Sequence, residues 1–511
     1  MGDYNAAVDL IGRNLKVRPD KVAVIDDEGA HTYRELARRA DRLGSAFRER
    51  GLDPGDRVVL CMLDGVDFIA AFLGAMKVGI IPVPINTLFQ SADYAYILGD
   101  SGAKAAVVSD QTRERIIQAA ALADWDGVVM VAGEAAANTV ALSALAAAGP
   151  GLAEARLTRA EAPAFWLYSS GSTGQPKGVV HRHASLLATA DCFARKVIGV
   201  RDDDVIYSAA KLFFAYGLGN ALTFPMSVGA TCVLHADRAT PEAVWNLLLT
   251  RNITIFCGVP TLFASLLASP HAPKHRPAAL RLCTSAGESL PGEVGRAWTE
   301  RFGTEIVDGI GSTEMLHIFV SNRPGAVRHG VTGVPVPGYE VRLVDDVGQP
   351  VPAGEIGELW VKGPTAPIEY WRKPEKTAQT IENGWLRTGD KFRLNESGDL
   401  VYCGRSDDML KVSGIWVSPA EVESALVEHD TVLEAAVVGA VDPNGLMKTK
   451  AYVVLKPGVV AEPTLAAGLR AFAKSRLAPY KRPHSIEFVE ELPKTATGKI
   501  RRHILRDQQT Y

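Results

Sequence analysis

The stretch YSSGSTGQPKGVVHRH, from Tyr168 to His183, constrains this chain more than any other. Gly171, Gly174 and Gly178 are interleaved with the hydroxyls of Ser169, Ser170, Ser172 and Thr173 around a single lysine, Lys177. Glycines let backbone N–H groups curl about an anion, hydroxyls add donors, and the lysine supplies positive charge. That chemistry suits a polyphosphate. The spacing is not that of a P-loop, where lysine directly follows the second glycine; here Gln175 and Pro176 intervene. Taken alone, the stretch leaves two readings open, a phosphate cradle and a flexible surface loop. The apolar run Phe165-Trp166-Leu167 ahead of it predicts a buried strand.

At 511 residues the chain exceeds what one core supports, so at least two domains are expected. Its formal charge of −3 argues against a nucleic-acid or membrane-surface partner. The six cysteines form no CxxC pair and sit mostly in apolar runs, which predicts buried free thiols in a reducing compartment. The N-terminal residues lack the long apolar core of a signal peptide. The most apolar region, from Phe68 to Ile85, is interrupted by Lys77, Gly79 and two prolines, so no membrane span is expected. A cytoplasmic protein is the expectation.

Strand-like and helix-like segments alternate through residues 1–130 and again after the glycine loop, the pattern of parallel sheets covered by helices. LRLCTSAGE and EIVDGIGSTE each run an apolar strand into glycines and an acidic residue. Open α/β folds place ligands at the carboxyl ends of strands, so these two endings are candidate site walls. After Gly330 short strands separated by Gly/Pro turns predict a β-rich subdomain. Beyond RSDDMLKVSG a distinct α+β pattern follows, and Ser418-Pro419 has the form of a helix N-cap with proline at the first position. The predicted architecture is therefore α/β: a large N-terminal domain, residues 1–405, of two parallel-type α/β subdomains plus a β-rich one. A small α+β C-terminal domain, residues 406–511, completes it.

Six motifs in order, YSSGSTGQPKG, SAGE, DGIGSTE, RTGD, GRSDDMLKVSG and PKTATGK, make the chain resemble the adenylate-forming superfamily. That superfamily comprises acyl- and aryl-CoA synthetases, carrier-protein adenylation domains and luciferases. The resemblance covers nearly the whole chain, and it implies ATP, Mg²⁺ and coenzyme A as cofactors and substrates. It also implies that Ser169, Ser172, Thr173 and Lys177 embrace the β- and γ-phosphates. Ser285, Ala286, Gly287 and Glu288, with Asp308, Gly309, Ile310 and Gly311, would border the adenine. Thr313 would contact the α-phosphate, Glu314 the Mg²⁺, and Asp390 and Arg405 the ribose. Asp407 matches the hinge of a mobile C-terminal domain. Lys411, Ser413, Gly414 and Trp416 match the face presented to the thiol. Lys499 matches the lysine that bridges the carboxylate and the α-phosphate, where two anions must meet.

KLFFAYGLGN together with STEMLHIF is similar to the benzoate-CoA ligase branch. By that likeness Ala215, Tyr216, Gly311, His317 and Ile318 would line a flat, aryl-sized pocket, with Lys211 near its edge. Two readings of His317 stand side by side, a packed core histidine and the polar neighbour of a ring substituent; His183 is equally open. The implied reaction joins benzoate or an amino- or hydroxybenzoate to coenzyme A through an aryl-AMP. Loading of a carrier protein's pantetheine thiol is the nearest alternative, and no fused carrier domain is evident. A homodimer is expected from family habit.

Overall fold

The computed structural model describes residues 3–134, 139–142, 144, 154–169, 175–412, 415–441, 447–494 and 500–507. Ser172, Thr173, Ser413, Gly414 and Lys499 lie outside the described residues, as do the side chains of Lys411 and Trp416.

Two parallel sheets form the framework. In the first, Ile81–Pro84, Arg57–Cys61, Ala105–Ser109, Val128–Ala132 and Val140–Ala141 lie side by side, every neighbour parallel. Its strands are apolar almost throughout, as expected for a sheet buried on both faces. The second sheet has nine strands, ordered Val334–Pro335, Ile318–Ser321, Ile306–Gly311, Leu282–Ser285, Ile255–Gly258, Val205–Ser208, Thr231–Val233, Val22–Asp26 and Gly29–Thr32. Its interior pairs are parallel and its edges close with antiparallel strands. Val22–Asp26 thus crosses from the start of the chain to pair with Thr231–Val233, a return that local periodicity does not encode.

The glycine loop joins two strands of a small antiparallel sheet, Pro163–Ser169 and Lys177–Arg182, with Glu369–Tyr370 on the outer side. Phe165, Trp166 and Leu167 are fully buried, as predicted. Residues after Gly330 build the expected antiparallel sheet of Glu340–Val344, Gly357–Lys362, Trp385–Leu394, Ile381–Glu382 and Leu400–Arg405.

The C-terminal part has its own apolar cores, one around Val422, Leu426, Val437, Val453 and Leu469. A sheet of Val432–Val441, Met447–Leu455 and Ser485–Phe488 carries them, flanked by the helices Pro419–Val427 and Pro463–Arg476. The Ser418 hydroxyl accepts the Glu421 N–H, the cap predicted from Ser418-Pro419. All six cysteines are buried and unpaired. Among the described residues no helix is long and apolar enough to cross a membrane.

Candidate active site

The carboxyl ends of Leu282–Ser285 and Ile306–Gly311 lie side by side, with Ser285 directly opposite Asp308 in the parallel register. Both predicted walls therefore meet. Asp308 is buried, its Oδ1 has no hydrogen-bond partner, and the Ser285 hydroxyl is likewise unpartnered. Loss of water around it pushes the Asp308 pKa up to about 8, so the ligand-free carboxyl favours its protonated form at neutral pH. Ala286 is buried behind Ser285, and Glu288 accepts the backbone N–H of Ile500 at 2.9 Å. Ile500 follows Lys499 in the sequence, so the C-terminal domain is tied here to the SAGE wall.

Gly309 and Ile310 continue the strand that ends at Gly311, and Thr313 and Glu314 follow it directly. The Glu314 Oε1 accepts from the Ser169 hydroxyl at 3.2 Å and from the Tyr370 hydroxyl at 2.8 Å. The end of the glycine-loop strand is thereby joined to the DGIGSTE wall. Lys177 stands with its ammonium 5.8 Å from the Tyr370 ring centroid. Burial, then repulsion from Lys376, holds its pKa below the usual lysine range. Tyr370 is a site residue that the motifs did not single out.

Asp390 and Arg405 face each other across neighbouring antiparallel strands, their side chains 3.3 Å apart. Arg405 also donates to the Thr388 carbonyl and reaches Asp407 at 3.5 Å. The segment after it is gripped from the far end of the chain. Arg506 donates to the Asp407 carbonyl at 3.3 Å and pairs with Asp408, while Arg502 pairs with Glu423 at 2.8 Å. Arg502 belongs to KIRRH, which by composition is an ordinary solvated run, and Arg506 lies just beyond it; the structure places both against the expected hinge segment.

The residues predicted to line the acid pocket meet in an aromatic cluster. His317 is enclosed by Phe193, Tyr216 and Phe224, with ring centroids at 5.2, 5.3 and 4.6 Å. Neither of its ring nitrogens has a hydrogen-bond partner, and burial pushes its pKa down to about 3, so the imidazole is neutral. The Tyr216 hydroxyl is 2.7 Å from the Thr284 hydroxyl, and Ala215 opens the same short helix, Ala215–Leu218. Ile318 is buried next to His317 and pairs with Gly311.

Two glycines are required by close approach. A Cβ on Gly219 would fall 2.4 Å from the His317 ring, and one on Gly311 would fall 2.5 Å from the His317 carbonyl. Phe193 lies in the π-helical turn Ala190–Arg195, and Phe224 directly follows another, Gly219–Thr223; such turns gather at functional sites. Neither phenylalanine carries a sequence signal of its own.

Two further residues of the sequence reading have definite partners. Lys211 gives its ammonium to the carbonyls of His235, Ala236 and Asp237. The neighbouring Leu212 N–H donates to the buried Asp64, so this loop is pinned at both ends. His183 accepts the Ala6 N–H at 3.2 Å and anchors the first helix, a structural role.

The profile of the AMP-binding enzyme family matches residues 11–371, and that of the AMP-binding enzyme C-terminal domain matches residues 421–499. The chain belongs to the AMP-binding enzyme family. Among relatives in this family, the benzoate–CoA ligase of Thauera aromatica is 55% identical over 506 residues, covering 98% of this chain and 96% of that protein. The solved benzoate CoA ligase of Burkholderia xenovorans LB400 superimposes with a TM-score of 0.93 at 50% identity, covering 98% of this chain and all of that one. An anthranilate CoA ligase solved with anthranoyl-AMP gives a TM-score of 0.95 at 41% identity, covering 99% of this chain and 97% of that one. As AMP-binding enzymes do, this chain pairs a large α/β body with a separate C-terminal domain.

Proposed function

We propose that this chain is an aryl-CoA ligase that activates benzoate or a singly substituted benzoate with ATP. The observation that carries the reading is the enclosure of His317 by Phe193, Tyr216 and Phe224, three residues beyond Glu314. Aromatic walls favour a flat ring through stacked and edge contacts, each worth about 0.5–1.5 kcal/mol beyond area burial. The full-length likeness to benzoate and anthranilate CoA ligases supports the same substrate class.

In the first step the carboxylate oxygen attacks the α-phosphorus of ATP, the bond to the β-phosphate oxygen breaks, and pyrophosphate leaves. Ser169, Ser172, Thr173 and Lys177 hold the departing phosphates. Asp308 takes the adenine amino group, and Asp390 with Arg405 takes the ribose. Lys499 offsets the repulsion between carboxylate and α-phosphate, the largest electrostatic demand of the step. The oxygen groups at Glu314 fit Mg²⁺, a cation that when bound screens the phosphate charge. In the second step the C-terminal domain turns at Asp407 and brings Lys411, Ser413, Gly414 and Trp416 to the site. The coenzyme A thiolate then attacks the acyl carbon and AMP leaves.

The test is pyrophosphate release and thioester formation over a panel of benzoates, phenylacetate, acetate and octanoate. Benzoate or a singly substituted benzoate is expected to have the highest kcat/KM. A preference for either aliphatic acid would overturn the reading.

A further inference from the structure

The glycine loop hangs from two stems, and both reach the last turn of one helix in the other sheet's layer. Tyr168 ends the incoming side, and its hydroxyl donates to Asp100 Oδ2 at 2.7 Å. Pro176 opens the outgoing side, and its carbonyl accepts the Tyr96 hydroxyl at 3.2 Å; that hydroxyl is also 3.5 Å from Asp100 Oδ1. Asp100 and Tyr96 belong to the helix Ser91–Ser101.

The mounting is itself fixed. Arg57 donates to the Ser101 and Gly102 carbonyls and lies over the Trp166 and Trp371 rings. Trp371 donates from its indole to the Asp100 carbonyl and from its backbone to Gly178. An aspartate in the last turn of a helix faces the negative end of the helix dipole and is disfavoured there. That local penalty is offset by the loop stem.

We propose that Asp100 is a positioning residue for the triphosphate. Through Tyr168 and Tyr96 it fixes the two stems from which the glycine loop departs and returns. The proposal rests on the reading of that loop as the clamp on the β- and γ-phosphates. It separates the two half-reactions, because only the first involves a triphosphate.

The test uses the full-length enzyme with Asp100→Asn and, as a change of one atom, Tyr168→Phe. Tyr168→Phe removes the hydrogen bond and Asp100→Asn replaces its charged acceptor with a weaker neutral one, and the KM for ATP is expected to rise by up to about tenfold. The KM for benzoate and the rate of thioester formation from synthetic benzoyl-AMP and coenzyme A are expected to stay within about twofold. An unchanged KM for ATP in both variants, or equal losses in the two half-reactions, would overturn the proposal. If the wild type forms no aryl thioester, the proposed function fails instead. Calorimetric affinity for α,β-methylene ATP then decides the role of Asp100 on its own: weaker binding in both variants supports it and equal binding overturns it.

Discussion

Ile500 donates its backbone N–H to the Glu288 carboxylate, 212 residues earlier in the chain, at 2.9 Å. The C-terminal domain is thus docked by the residue next to Lys499 on the wall that carries Ser285 and lies against Asp308. Under the proposed mechanism, adenylation requires this side of the C-terminal domain at the site. Lys499→Ala is expected to lower pyrophosphate release by roughly 10²–10³ while sparing thioester formation from synthetic aryl-AMP. Stopped assays of each half-reaction check this, and equal loss in both would remove the assigned role.

The hinge should show the opposite asymmetry. Asp407 and Asp408 are held by Arg506, and the proposed turn of the C-terminal domain would have to rearrange these contacts. Asp407→Pro fixes φ near −65° and is expected to leave pyrophosphate release within about threefold while cutting thioester formation by at least about tenfold. An overall rate equal to wild type would end the argument for a turn at this residue.

Gly219 touches the His317 ring so closely that a methyl group there must displace it. Gly219→Ala is expected to cost about 1–3 kcal/mol of stability through overpacking. The diagnostic readout is selective. The KM for benzoate should rise and that for ATP should not, and a parallel rise in both would place His317 outside the acid pocket.

Asp308 has a pH signature. Its carboxyl is raised from an ordinary 3.8 to about 8 in the folded, ligand-free protein. Between these values the folded state keeps a proton that the unfolded state has lost, so this group's stabilising contribution is present at low pH and fades as pH rises from about 4 to about 8. Asp308→Asn removes that titration. The difference in melting temperature, variant minus wild type, is expected to grow steadily more positive across the window. A difference independent of pH would show that Asp308 is ionised throughout.

Much of the site was legible because its residues sit in short motifs. SAGE and DGIGSTE each end a parallel strand, and adjacency in one sheet suffices to bring Ser285 opposite Asp308. Asp390 and Arg405 met for the same reason, as register partners on neighbouring strands. What stayed hidden depends on contacts between distant segments. Tyr370 reaches Glu314 across 56 residues and Tyr168 reaches Asp100 across 68, and no periodicity announces either pairing. Lys211 lay beside the pocket motif, yet its partners at His235, Ala236 and Asp237 are fixed only when the loops are assembled. Phe193 and Phe224 read as core residues in any sequence; the π-helical turns beside them are invisible to a 3.6-residue pattern.

Those turns also separate two kinds of heritable change. Phe193 and Phe224 lie on segments that carry none of the groups assigned to ATP. If these rings bound the acid pocket as proposed, mutation there redraws the shape of the acid that enters without disturbing the residues assigned to phosphate. A lineage built on this scaffold would then diversify its substrates one aromatic side chain at a time, inheriting its energy-coupling chemistry intact.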